Sequence, residues 1–289
     1  MVIVPLVLVV VTVLTVFGLW LLLVDRARLI LAKPTTEGAA DYRAMVLWAS
    51  SFVAFVAAAV WVALVAIDTI RRNIDAVNRK IVYGGVAAIA VAIALVRPIS
   101  ILRGKPVASL LTRVVEFGDV RIYNVTAVGN PIGAVAVALA GAAVLTLLAV
   151  RNEAIERFRQ NLAAARLLFH SCAFLLAVGV AEIYFLFDWP SRLQSGVLPE
   201  ERRPMHTIAQ ADALMCGVVY SLILLCLYVP LGVWHERRAS EISDKLLEAS
   251  VPGAELLRAE RSTIGGLVDL FLFVGPILTA LGVPKILAA

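Results

Sequence analysis

The stretch Ala44–Ile67, AMVLWASSFVAFVAAAVWVALVAI, decides how the chain is to be read. It holds no charged residue, no glycine and no proline, and its apolar side chains recur on every face of a helix rather than on one stripe. As a helix it covers about 36 Å, longer than the ~30 Å hydrocarbon core of a bilayer. The whole composition agrees with this segment. Over 289 residues, 61% are hydrophobic and 16% charged, with a mean hydropathy of +0.92. An ordinary soluble domain carries about 25% charged residues.

Outward from this segment, further apolar runs follow at the spacing of a polytopic protein. Met1–Val24 reads as a retained span rather than a secretory leader, because no basic segment precedes it and no small-residue cleavage site follows it. Ile81–Val96 is short but flanked by Lys80 and Arg97, which reach outward. Pro131–Val150 starts on a proline, a first-turn residue whose missing N–H costs nothing there. Leu167–Phe187 and Ala213–Trp234 follow, and Thr263–Pro284, interrupted at Gly275-Pro276 and carrying Asp269, either spans or re-enters. The expected fold is therefore all-α, a single polytopic integral membrane bundle of six to seven transmembrane helices over residues 1–289. The stretch around Val120, Ile122 and Val125 alternates β-branched residues and reads as a loop or short hairpin before the fourth span. Within it, Asn124-Val125-Thr126 matches a glycosylation sequon, which matters only in a eukaryotic secretory pathway.

Three connectors are charged and amphipathic. Residues 68–80 contain no Gly or Pro and place Ile70, Ile74 and Val77 on one helical stripe. Residues 151–166 repeat the pattern with Ile155, Phe158, Leu162 and Ala165, and residues 236–262 offer Ile242, Leu246 and Leu247 before Pro252-Gly253. Simple alternation of the spans puts all three on one side. The 26 Lys and Arg divide evenly between the two sides, thirteen each, so the positive-inside rule is silent. The helical, charge-dense side is read as cytoplasmic, and the membrane as the inner (plasma) membrane. The formal charge of +5 then belongs to span ends that meet lipid headgroups, not to a nucleic-acid surface.

Few residues are chemically pointed. Glu182 lies inside the fifth span, where ionisable side chains usually face a bundle interior or a water-filled path. Asp212 reads as the first-turn acid of the sixth span, on the same side as Arg203 and His206, and pairing of Glu182 or Asp212 with a neighbouring arginine is sterically natural. His170 and His235 differ in depth by about two helical turns, too far apart to share a haem. Zinc spacings are absent, and Cys172, Cys216 and Cys226 fall singly in apolar runs as buried thiols, so no cofactor is expected. No G-x-S-x-G elbow, Walker A loop or G-x-G-x-x-G occurs, which argues against an enzyme. Small-residue surfaces at Gly84–Ala88 and Gly133–Ala143 permit close helix contact within one chain or between chains. The expected function is permeation, as an oligomeric channel, pore or small transporter in the lipid bilayer. The alternative is a non-conducting scaffold subunit bound to another membrane protein.

Overall fold

The computed structural model describes residues 10, 13–14, 36–96, 120–150, 155–192, 199–248 and 274–282, and every element among them is helical. The long helices are α1 (Thr36–Asn73), α2 (Ala76–Val96), α3 (Val120–Ala149), α4 (Ile155–Arg192) and α5 (Pro199–Glu248); a short α6 covers 274–282. Four segments, Met45–Asn73, Pro131–Ala149, Glu156–Trp189 and Arg203–Ile242, are long and apolar enough to cross a membrane. α2, which contains the expected third span, is not among them. Met1–Val24 lies almost wholly outside the described residues, as do Asp269 and residues 249–262.

Two boundaries differ from the sequence reading. The expected continuous helix through 68–80 breaks at Ile74 and Asp75. Asp75 caps α2: its Oδ1 accepts from the Asn78 backbone N–H at 3.3 Å. An aspartate that satisfies an orphan N–H in this way competes with helix continuation. The expected loop around Val120–Val125 is instead the first part of α3, and Pro131 lies inside that helix rather than at its start. β-branched residues cost a helix only tenths of a kcal/mol each, too little to stop α3 from extending ahead of its apolar stretch.

α4 is the central helix. In its apolar stretch 61% of residues are buried, against 17% in that of α5, so α4 is wrapped by neighbours while α5 presents one side outward. α1 packs on α3 and α4, α5 packs on α4, and α2 lies against α3. α1 and α4 run antiparallel: Trp48 meets Glu182 and Trp61 meets Ser171. Small residues enter the same core, with Ala59 and Ala66 of α1 and Ala140 and Ala143 of α3 fully buried in one apolar cluster. In hydrocarbon, where burial of apolar area gains little, such close backbone approach supplies the packing energy. The exposed face of α5, including Met215, Val219, Leu222, Val229 and Val233, repeats at helical spacing. Cys226 lies on this outer side and Cys172 inside, so the expectation of three buried thiols holds only for Cys172. An apolar run reports depth in the membrane and leaves the facing of each residue open.

The small-residue surface of α3 has an intramolecular use. Phe55 of α1 is wedged between Gly133 of α3 and Gly179 of α4. A Cβ at Gly133 would collide with the Phe55 ring tip, and one at Gly179 would stand 3.2 Å from Cε2 on the ring edge. The ring therefore has nowhere to retreat. Gly133→Ala is expected to destabilise by about 1–3 kcal/mol, the usual cost of overpacking. Thermal melting in detergent checks this, and Phe55→Leu in the Gly133→Ala background should recover much of the loss. Gly84 and Gly85, by contrast, face open space.

At one end the helices run past the apolar layer. α5 has 50 residues, about 75 Å of helix, more than twice a bilayer core. There Phe158 of α4 is fully buried against Ala239 and Ile242 of α5 and stacks on His235 at 5.3 Å. Arg157 donates to the Arg72 carbonyl at 3.1 Å, so the C-terminus of α1, the N-terminus of α4 and the C-terminal part of α5 meet. Exposed pairs such as Arg72–Asp68 add little there.

Candidate functional site

α4 carries four buried polar side chains among the described residues, Asn161, Ser171, Glu182 and Asp188. Two are met by indoles from α1. The Trp48 Nε1–H donates to Glu182 Oε1 at 3.2 Å, with both residues 2% exposed or less. The Trp61 Nε1–H donates to Ser171 Oγ at 2.9 Å. A buried carboxyl without a donor is costly, so the Trp48 indole fixes both the rotamer of Glu182 and the register of α1 on α4.

Toward the end of α4, the second buried acid meets α5. Asp188 is 1% exposed and its Oδ1 lies 2.5 Å from His206 Nδ1. The other ring nitrogen, Nε2, is 2.8 Å from Gln210 Nε2, which donates to it. With Gln210 donating to Nε2, it is Nδ1 that faces Asp188 as donor. Fully buried Tyr184 sets its ring edge-on to His206 at 6.3 Å. Helical geometry explains the grouping: Tyr184 and Asp188 are one turn apart on α4, as are His206 and Gln210 on α5.

Farther in, Gly179 lets Tyr220 approach α4, its ring 3.4 Å from where a Cβ would stand. Cys216 and Tyr220 of α5 pack with Val180 and Tyr184 of α4, and Glu182 and Asp212 belong to these same stretches of the two helices. The antiparallel α4–α5 seam thus holds Asp188, His206 and Gln210 at its mouth, and Glu182, Asp212, Cys216 and Tyr220 deeper. α6 closes its flank: Ala280 is buried with Val180, Tyr184 and Ala213, and a Cβ at Gly217 would lie 2.9 Å from the Pro276 carbonyl.

Of the four residues singled out from sequence, Glu182, His206 and Asp212 lie along this seam. Arg203 is exposed, and Glu182 has Trp48 rather than Arg203 as its hydrogen-bond partner. Asp212 is not a first-turn acid, because α5 begins at Pro199, three turns earlier. The helix extends through Arg202, Arg203 and Pro204, a stretch whose charge resembles a loop. Sequence reasoning missed Asp188, Gln210, Tyr184 and Trp48. Asp188 follows the assigned end of the fifth span by one residue, where a carboxylate ordinarily marks the interface.

His170 is exposed and bonded to the Arg166 carbonyl of its own helix, while His235 is buried against Phe158. Among the described residues no three of His, Cys, Asp and Glu are grouped to hold a metal ion. A cavity of about 10 Å³ between Val144, Phe169, Cys172 and Leu231 is apolar and holds at most one water-sized group. No family model, curated protein or solved structure matches this chain.

Proposed function

We infer that the chain is a multi-pass transport protein of the inner membrane, with the α4–α5 seam as its polar path. One observation carries this reading. A buried carboxylate, an imidazole and an amide stand in hydrogen-bond contact at the mouth of the seam, and a second buried carboxyl, Glu182, lies six residues farther in along α4. Ionisable groups at such depth are expensive and usually mark an ion or proton path. On this reading six or seven spans form the bundle, the helix extensions around Phe158 stand in the cytoplasm, and copies associate as an oligomer.

The scaffold reading keeps support from a different feature, the outward apolar face of α5 from Leu214 to Val233, which suits a neighbouring membrane helix. Reconstitution separates the two. Ion or proton flux in liposomes that Asp188→Asn lowers by about tenfold or more supports transport, the scale on which a positioned acid–base group acts. A stoichiometric membrane partner on purification, with no flux above that of empty liposomes, supports the scaffold.

A further inference from the structure

We propose that the species taken up at the seam is the proton, and that His206 passes it from solvent to Asp188; the proposal rests on the transport reading above. The His206 side chain is 37% exposed and that of Asp188 1%, so the imidazole bridges water and the bundle interior. Each ring nitrogen is already engaged on its own side. Nδ1 faces Asp188 Oδ1 inward, and Nε2 faces Gln210 at the more open side.

The step balances without a further reactant. The Gln210 N–H first releases His206 Nε2, and hydronium then gives its proton to the freed lone pair, forming an N–H bond and leaving water. The Nδ1–H bond then breaks as its proton moves to Asp188 Oδ1, and the ring is again neutral, now protonated at Nε2. Before the next uptake Asp188 gives its proton to a water deeper in the seam, and a half-turn of the imidazole about its Cβ–Cγ bond turns the Nε2–H toward the inner side. Gln210 fits both states, because its amide donates to a bare Nε2 and, once flipped, accepts from Nε2–H. A leucine or a lysine there would suit at most one.

The described residues around the imidazole are these. From α4 it faces Asp188 and the Tyr184 ring edge; on α5 its neighbours one turn away are exposed Arg203 and Gln210. α6 contributes no titratable side chain between 274 and 282. The next acids inward are Glu182, about 9 Å along α4 from Asp188, and Asp212. The mouth lies about 50 Å along α5 from the Phe158–Ala239 packing, at the opposite end of the bundle.

Two measurements on the full-length chain test the relay. The first is proton flux into liposomes containing a trapped pH dye, driven by a potassium gradient with valinomycin. His206→Gln and Asp188→Asn are each expected to lower it at least about tenfold, and Gln210→Leu less. The second is an infrared pH titration of the protein in nanodiscs. A carboxylic acid C=O band that shifts in D2O should vanish in Asp188→Asn and change its midpoint in His206→Gln. Undiminished proton flux in both folded variants overturns the relay and leaves transport of another species standing. Coupled titration without flux in the wild type upholds proton exchange between His206 and Asp188 and overturns the transport reading. A band indifferent to Asp188→Asn overturns the proposal outright. Where Asp188→Asn does not fold, Asp188→Glu keeps a titrating carboxyl one methylene longer, and its band must still respond to His206→Gln.

Discussion

Trp48→Phe will destabilise the protein by about 1–3 kcal/mol, because it removes a donor and leaves a buried carboxyl without its partner while almost preserving the packing. Trp48 and Glu182 are 1% and 2% exposed, so water cannot replace the indole N–H. The companion Glu182→Leu should behave in the opposite sense. It removes the acid from apolar surroundings and leaves only the indole N–H unmatched, so its melting temperature should equal or exceed that of Trp48→Phe. In the double variant both polar partners are gone, and the cycle should return a coupling of about 1 kcal/mol, the scale of polar pairs between membrane helices. Function separates from stability in Glu182→Gln, which retains an acceptor for Trp48 but no charge. If the seam conducts, this variant melts like the wild type and loses flux by about tenfold or more. Wild-type flux in Glu182→Gln together with a lowered melting temperature in Glu182→Leu would make the carboxyl purely structural.

The membrane character of the chain was legible because it depends on composition over a window, and Ala44–Ile67 needs no knowledge of its neighbours to be read as a span. Glu182 stood out for the same reason: a charge within an apolar run is visible in one dimension. What surrounds it was not. Trp48 is separated from it by 134 positions and looked like one more apolar residue of the second span. Asp188 and Gln210 were hidden at span ends, where polar residues are expected, and only the length of α4 and α5 carries them into the bundle. Helix boundaries failed where local rules are weakest. Asp75 stops a helix through a single side-chain hydrogen bond, with no Gly or Pro to announce it. Val120–Asn130 continues a helix despite β-branched residues and the Pro131 that follows, because a local preference worth tenths of a kcal/mol yields to the fold. The glycines divide similarly: Gly133 and Gly84 look alike in sequence, yet one receives Phe55 and the other faces open space.

Phe158→Ala is expected to have the largest effect on stability, about 3–5 kcal/mol. The ring is fully buried, stacked on His235 and tilted against Trp234, with Ala239 and Ile242 closing the other side. Among the described residues this cluster is the apolar packing that holds the extension of α5 against α4, and the Arg238–Glu241 pair lies within α5 itself. Truncation should therefore release the C-terminal part of α5 locally before the bundle melts. Limited proteolysis reads this directly: cleavage after Arg237, Arg238 or Lys245 should accelerate strongly in Phe158→Ala and only weakly in Phe158→Leu. The seam at the other end gives the control. Because Asp188 and His206 lie tens of ångströms away, about 50 Å by helix rise, their infrared titration should stay unchanged in Phe158→Ala. A shift there would mean that α5 transmits the state of its extension along its whole length, and the two ends would have to be treated as one cooperative unit.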